Sequence, residues 1–163
     1  MSTSRTRRPS AEKRGRWPTR GARNSYRNDI GTSVSGEGSD ASPGQQVVDE
    51  IKAAGGEAVA DHNSVATPEG GAAIVQTAID TYGKVDIVIN NAGILRDVMF
   101  FKMSEQEFDD VVAVHLKGSF NVSRAAAPFF KNQNAGSYVH MTSTSGLIGN
   151  FGQANYSAAK LGI

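Results

Sequence analysis

Tyr156 and Lys160 stand four residues apart in the segment YSAAK, and Ser143 precedes Tyr156 by thirteen residues. On a helix, positions i and i+4 share a face, so this spacing lays a phenol beside an ammonium. A tyrosine alone is a poor base, with an unperturbed pKa of about 10. A positive charge held near its oxygen stabilises the phenolate and brings proton transfer towards working pH. A hydroxyl from Ser143 can hold the substrate oxygen that Tyr156 deprotonates. With a nicotinamide beside the same carbon, the chemistry would be hydride transfer, and the cofactor would carry the hard step.

Each of these signals has a plainer reading when taken singly. A Tyr and a Lys at i,i+4 are commonly a surface pair, and a Ser after a strand is commonly a cap or turn residue. The segment NNAG at 90–93 is commonly a turn. The order and distances taken together are far more specific than any one of them.

The elements that must position these residues are legible from residue 42 onward. SPGQ at 42–45 offers a Ser N-cap, Pro at the first helical position and Gln three residues on. Val47, Val48, Ile51 and Ala54 then share a face, and Gly55-Gly56 ends that helix. EAVAD at 57–61 reads as a short strand. Thr67 and Pro68 start a second helix that stacks Val75, Ile79 and Tyr82 and ends at Gly83. KVDIVIN at 84–90 is a compact β-branched run of the kind that suits a strand covered on both faces. SEQE at 104–107 is a capping box ahead of Phe108, Val111, Val112 and His115. A long helical stretch is expected through Phe130, bent near Pro128. SYVHMT at 137–142 reads as another strand. Strands alternating with helices of this length predict right-handed βαβ units and a parallel sheet. Ligands of such sheets bind beyond the carboxyl ends of the strands, where NNAG, Ser143 and Tyr156 fall.

Composition narrows the classes. The 163 residues suffice for one domain with a real core. No apolar run approaches the length of a transmembrane helix, so membrane insertion is not expected and a cytoplasmic location is. The absence of cysteine excludes a disulfide scaffold, a thiolate nucleophile and thiolate zinc sites. His62, His115 and His140 lie far apart, without ligand-like spacing, so no metal is expected. The net charge of +1 hides an asymmetry: residues 1–27 carry nine Arg or Lys against Glu12 alone, and the remainder carries eight basic and fifteen acidic groups. The basic segment has no apolar periodicity and is expected to be disordered. A transit peptide or a phosphate-binding arm are two readings of it. The first lacks an apolar helical face, and nucleic acid is not the expected partner.

The segments NNAG, Ser143 and Tyr156-x-x-x-Lys160 together resemble the short-chain dehydrogenase/reductase family. The closer likeness is to the (3R)-hydroxyacyl-CoA dehydrogenase part of peroxisomal multifunctional enzymes of type 2 and their bacterial relatives. NDIG at 28–31, NNAGILRD at 90–97, VHLKGSFNVSRAA at 114–126 and GNFGQANYSAAKLG at 149–162 carry it, so it spans about residues 28–163. This resemblance implies an α/β fold with a Rossmann-type, doubly wound parallel sheet. It implies Tyr156 as catalytic base or acid, Lys160 as its partner and a ribose ligand, and Ser143 as holder of the substrate oxygen. It also implies that Asp29 accepts from the adenosine ribose hydroxyls, which favours NAD over NADP because a carboxylate repels a 2′-phosphate. Asn63 and Ser64 would meet the adenine, with Asn63 where the family usually has Asp. Asn90, Asn91, Ala92 and Gly93 would line the cofactor cleft. His115 stands where many members have an Asn that completes a proton relay to the Lys, and a core-facing histidine is the equal alternative. An acyl-CoA or another secondary alcohol would be the substrate, and the intact enzyme would be a homo-oligomer.

One departure is large. The family opens with a strand and a T-G-x-x-x-G-x-G turn whose amides hold the pyrophosphate at a helix N-terminus. Residues 1–27 match none of it, and the family continues beyond its Tyr-x-x-x-Lys helix through further strands. The sheet is therefore expected to lack its first strand and its C-terminal strands. A frameshifted or mis-started reading frame would explain the basic segment, since Arg, Pro, Gly and Ala are read from G+C-rich codons. An inactive fragment, or a non-catalytic interaction protein with a basic arm, is the alternative to a functional oxidoreductase.

Overall fold

The computed structural model describes residues 24–28 and 42–163. The order of elements is β1 (Asn24–Asn28), α1 (Ser42–Ala53), β2 (Glu57–Asp61), α2 (Pro68–Tyr82) and β3 (Ile87–Asn90). A 3-10 turn at Phe100–Lys102, α3 (Glu105–Val112), a π-helical turn at Ala113–Lys117 and α4 (Gly118–Gln133) follow. The chain finishes with β4 (Ser137–His140), α5 (Thr144–Ile148) and α6 (Ala154–Gly162).

Local chemistry sets most of these boundaries. Thr67 caps α2 by accepting from the Gly70 amide, Pro68 occupies its first turn, and Gly83 ends it at φ 75°. That left-handed conformation is cheap only for glycine, and it lets the Gly83 amide bond to the Ile79 carbonyl. The capping box at α3 forms as the spacing predicts: the Glu107 amide donates to Ser104 Oγ, and the Ser104 amide donates to Glu107 Oε2. This hydrogen bonding to Ser104 draws the Glu107 carboxyl below its ordinary pKa.

Two expectations change and one holds. Strand β1 reaches back to Asn24, inside the segment expected to lack structure, because its backbone pairs with β2 in parallel from Asn24–Glu57 to Asn28–Asp61. The regular winding of the long helix breaks at Ala113–Lys117 as a π turn, and α4 then runs through Pro128 to the left-handed cap at Asn134. The parallel strands fall into two pairs, as expected of a sheet without its first strand: among the described residues β1 pairs with β2 and β3 pairs with β4.

One face of β3 is covered by helices. Ile74 and Val75 of α2 meet Val122, Ala126 and Phe130 of α4 over Val88 of β3. Burying each large aliphatic of this kind stabilises by roughly 1.5–3 kcal/mol. A second cluster, Ile94, Val111 and Ala159, joins the loop after β3 to α3 and α6, with Leu116 and Tyr156 packed against it. Among the described residues the opposite face of β3–β4 has no such cover. Ile87 and Ile89 are 60% and 63% exposed, so the strand expected to be covered on both faces is covered on one.

Candidate active site

The site is built from the carboxyl ends of β3 and β4 and from one face of α6. Register pairing sets Asn90 opposite His140, so the segments that follow, 91–95 and 141–143, leave the sheet side by side. Helix α6 is pinned onto this corner at Lys160, whose carbonyl accepts from Thr142 Oγ1 at 2.8 Å and whose Nζ donates to the Met141 carbonyl. A cavity of about 310 Å³ opens there, lined among others by Asn91, Gly93, His115, Thr142, Tyr156 and Lys160.

Tyr156 and Lys160 meet as their spacing requires. Lys160 Nζ lies 5.6 Å from the centroid of the Tyr156 ring, and the residue is only 6% exposed. An ammonium held away from water is disfavoured in its charged form, and this burial lowers the Lys160 pKa. The buried cation keeps one backbone acceptor and faces an aromatic ring, so its field is not dissipated into solvent.

His115 comes to the same cavity from the π turn. Its Nε2 sits 3.1 Å from the Ile94 amide and 2.8 Å from the Ile94 carbonyl oxygen, and its Nδ1 is buried without a protein partner. Burial lowers the His115 pKa, opposed by the bond to the Ile94 backbone, and the Lys160 charge lowers it further. Burial thus favours the neutral ring, with Nε2 set against both the Ile94 amide and the Ile94 carbonyl and Nδ1 left without a protein partner. Gly93 permits this placement: a Cβ there would lie 2.4 Å from His115 Cε1.

Other candidates are placed differently. Ser143 caps α5, its Oγ accepting from the Ser145 amide at 3.2 Å, next to the cavity residue Thr142. Asn91 and Gly93 line the cavity, but Asn90 turns to α4 and His140, with Nδ2 2.9 Å from Ser123 Oγ and 3.2 Å from His140 Nδ1. Ala92 lies between them in the same loop. Asn63 and Ser64 follow β2, away from this cavity's lining: Asn63 donates from its backbone and side chain to Asp61, and Ser64 Oγ accepts from the Ala66 amide. Asp29 lies outside the described residues.

Sequence reasoning overlooked Ile94, Leu95, Met141 and Thr142, which line the cavity. It also overlooked Gln153 and Asn155, two buried polar residues just ahead of Tyr156. The available signal was position: Met141 and Thr142 directly follow β4, and Ile94 and Leu95 lie in the loop after β3, at the expected binding edge. Among the described residues no group of acidic and histidine side chains could hold a metal ion, and no helix is long and apolar enough to cross a membrane.

Comparison with known proteins shows the family of the chain. Residues 28–163 match the family described as short chain dehydrogenase. The peroxisomal hydratase-dehydrogenase-epimerase of Neurospora crassa is 52% identical over 136 residues, which is 83% of this chain and 15% of that protein. The peroxisomal multifunctional enzyme type 2 of Drosophila melanogaster is 53% identical over 136 residues, 83% of this chain and 22% of that protein. The crystal structure of a short chain dehydrogenase from Mycobacterium avium superimposes with a TM-score of 0.74 at 47% identity, covering 84% of this chain and 49% of the other. The chain thus spans a small part of the multifunctional relatives and about half of the single dehydrogenase.

Proposed function

The chain belongs to the short chain dehydrogenase family, and on that premise we propose that it serves an oxidoreductase interconverting a secondary alcohol and a ketone, with a (3R)-3-hydroxyacyl-CoA as substrate. The observation that carries the reading is the meeting of Tyr156 with the buried Lys160 ammonium at a cavity on the carboxyl ends of two parallel strands.

In this reading Tyr156 takes the proton of the substrate hydroxyl during oxidation and returns it during reduction. Lys160, 5.6 Å from the ring centroid, stabilises the negative charge that grows on the phenol oxygen as the proton leaves. Ser143, next to Thr142 at the cavity, holds the substrate oxygen. His115, whose Nδ1 is buried without a protein partner, stands at the same cavity as Lys160 and is assigned the relay position that the family resemblance implies.

A nicotinamide cofactor suits these residues: Gly93 and Asn91 leave the backbone of the loop open to the cavity, and Lys160 offers further N–H donors for ribose hydroxyls. When bound, it supplies the hydride acceptor. Asn90, Ala92, Asn63 and Ser64 would contribute to the rest of its cleft, and Asp29 favours NAD over NADP. A homo-oligomer and a cytoplasmic location complete the proposal. Several relatives are named as peroxisomal, so cell fractionation decides the location.

The test is direct. The purified chain, given NAD and (3R)-3-hydroxybutyryl-CoA, should form NADH, and Lys160→Met should abolish it. An unchanged rate in that variant rejects the site.

A further inference from the structure

Gln153 is only 9% exposed and stands three residues ahead of Tyr156, as the residue preceding α6. Its side chain uses both ends. Nε2 donates to Asp97 Oδ2 at 2.8 Å, while Oε1 accepts from Ser145 Oγ at 3.2 Å and from Asn150 Nδ2 at 2.9 Å. The orientation of the amide is not arbitrary. Rotating it by half a turn would set its oxygen against a carboxylate and its N–H₂ against another N–H₂.

These bonds connect three separate pieces of the site. Asp97 ends the loop that begins at the cavity residues Ile94 and Leu95, and Val98 is joined to the far side by its amide donating to the Gly152 carbonyl at 2.9 Å. Ser145 belongs to the turn closed on Ser143, whose Oγ accepts from the Ser145 amide. Gln153 itself opens the helix that carries Tyr156. Across the other end of α6, Lys160 is held to Met141 and Thr142. Ser143 therefore sits between two anchors, Lys160 acting on Met141 and Thr142 before it and Gln153 acting on Ser145 after it.

Resting on the oxidoreductase reading, we infer that Gln153 is a positioning residue: its amide sets the separation between the Ser143 hydroxyl and Tyr156, and ties both to the Asp97 loop that borders the substrate. It touches no reacting atom. A misplacement of about 1 Å in such a pair costs on the order of 100-fold in rate, so the amide has leverage out of proportion to its own bonds. Asn155 is a contrast. It is fully buried, with Nδ2 shared between the Arg96 and Glu107 carbonyls at 3.0 Å each, so it staples backbone to backbone.

The experiment compares Gln153→Leu and Gln153→Glu in the full chain. Gln153→Leu should lower kcat by about tenfold or more, with the KM for NAD unchanged. Gln153→Glu sets a carboxyl against Asp97, and two such groups at this distance share a proton. It should therefore approach wild-type turnover in acid and lose it as pH rises, relative to the wild-type profile. A kcat within twofold of wild type for Gln153→Leu, or a wild-type pH profile for Gln153→Glu, overturns the inference. If wild type turns over no substrate, the oxidoreductase reading fails by itself, and hydrogen exchange decides the tie. The Ser145 amide should then exchange about tenfold faster in Gln153→Leu, and in Gln153→Glu only at alkaline pH after correction for intrinsic exchange. Unchanged protection overturns it. Should Gln153→Leu fail to fold, the acid-restored Gln153→Glu profile remains the deciding measurement.

Discussion

The His115 ring meets the Tyr156 ring edge to face, with centroids 5.1 Å apart and planes at 89°. One residue comes from a π turn and the other from α6, and the contact joins the helix after the capping box to the helix of the Tyr-Lys pair. It also commits a titratable ring to the core. The folded-state pKa of His115 lies below its unfolded value, mainly through burial. The unfolded chain therefore binds a proton that the folded chain resists, and this contribution to stability is fully present above about pH 6.5 and lost as pH falls below it. The largest slope for one such proton is about 1.4 kcal/mol per pH unit. Denaturant melts from about pH 7.5 down to about pH 5 should show the loss, and His115→Asn should remove part of the slope. Equal slopes for the two chains would refute the assignment.

Tyr156→Phe keeps the ring packed against His115 and removes only the hydroxyl. Turnover should fall by at least about a hundredfold, the scale of a lost general base. NAD binding, followed by fluorescence on competition with NADH, should stay near the wild-type value. Near-normal turnover would show that another group moves the proton.

The proposed function gives the choice of cofactor to Asp29. Asp29→Ser removes the carboxylate that would repel a 2′-phosphate, so the preference for NAD over NADP should narrow. The ratio of kcat/KM for the two cofactors measures it. A wild-type preference for NADP would contradict the role given to Asp29.

Gly93→Ala should be costly although the change is one methyl group. The new Cβ would lie 2.4 Å from His115 Cε1 and about 3.1 Å from both ring nitrogens. The ring must move off Ile94, at a cost of about 1–3 kcal/mol. Urea denaturation should register this, and Gly93→Ala combined with His115→Asn should recover part of the loss. A variant as stable as wild type would show that the ring shifts freely.

The uncovered face of β3–β4 should govern association. Ile87, Ile89, Val139 and Met141 are 60%, 63%, 42% and 43% exposed. Contiguous apolar surface of this kind drives self-association or dye binding. Ile89→Ser with Val139→Ser should lower both ANS fluorescence and sedimenting aggregate at equal concentration. No change in either would place the adhesive surface elsewhere.

What the sequence determined by itself was local or periodic. The caps at Thr67 and Ser104 and the glycine stop at Gly83 depend on a few neighbouring residues, and EAVAD forms β2 at the residues expected. The i,i+4 face of Tyr156 and Lys160 is a property of any helix. The tertiary structure decided matters in which residues far apart in the chain compete for the same place. The helix broke at Ala113–Lys117 because His115 is drawn into the core against Ile94 and Tyr156, a partnership no local pattern reveals. β1 took in residues from the basic segment because a parallel neighbour 33 positions along the chain satisfied their backbone groups. Ile87 and Ile89 read as covered from their composition, yet cover depends on which elements lie over that face. Gln153 joined Asp97 and Ser145 for the same reason: an amide's partners are chosen in space, and its spacing from Tyr156 says nothing about them.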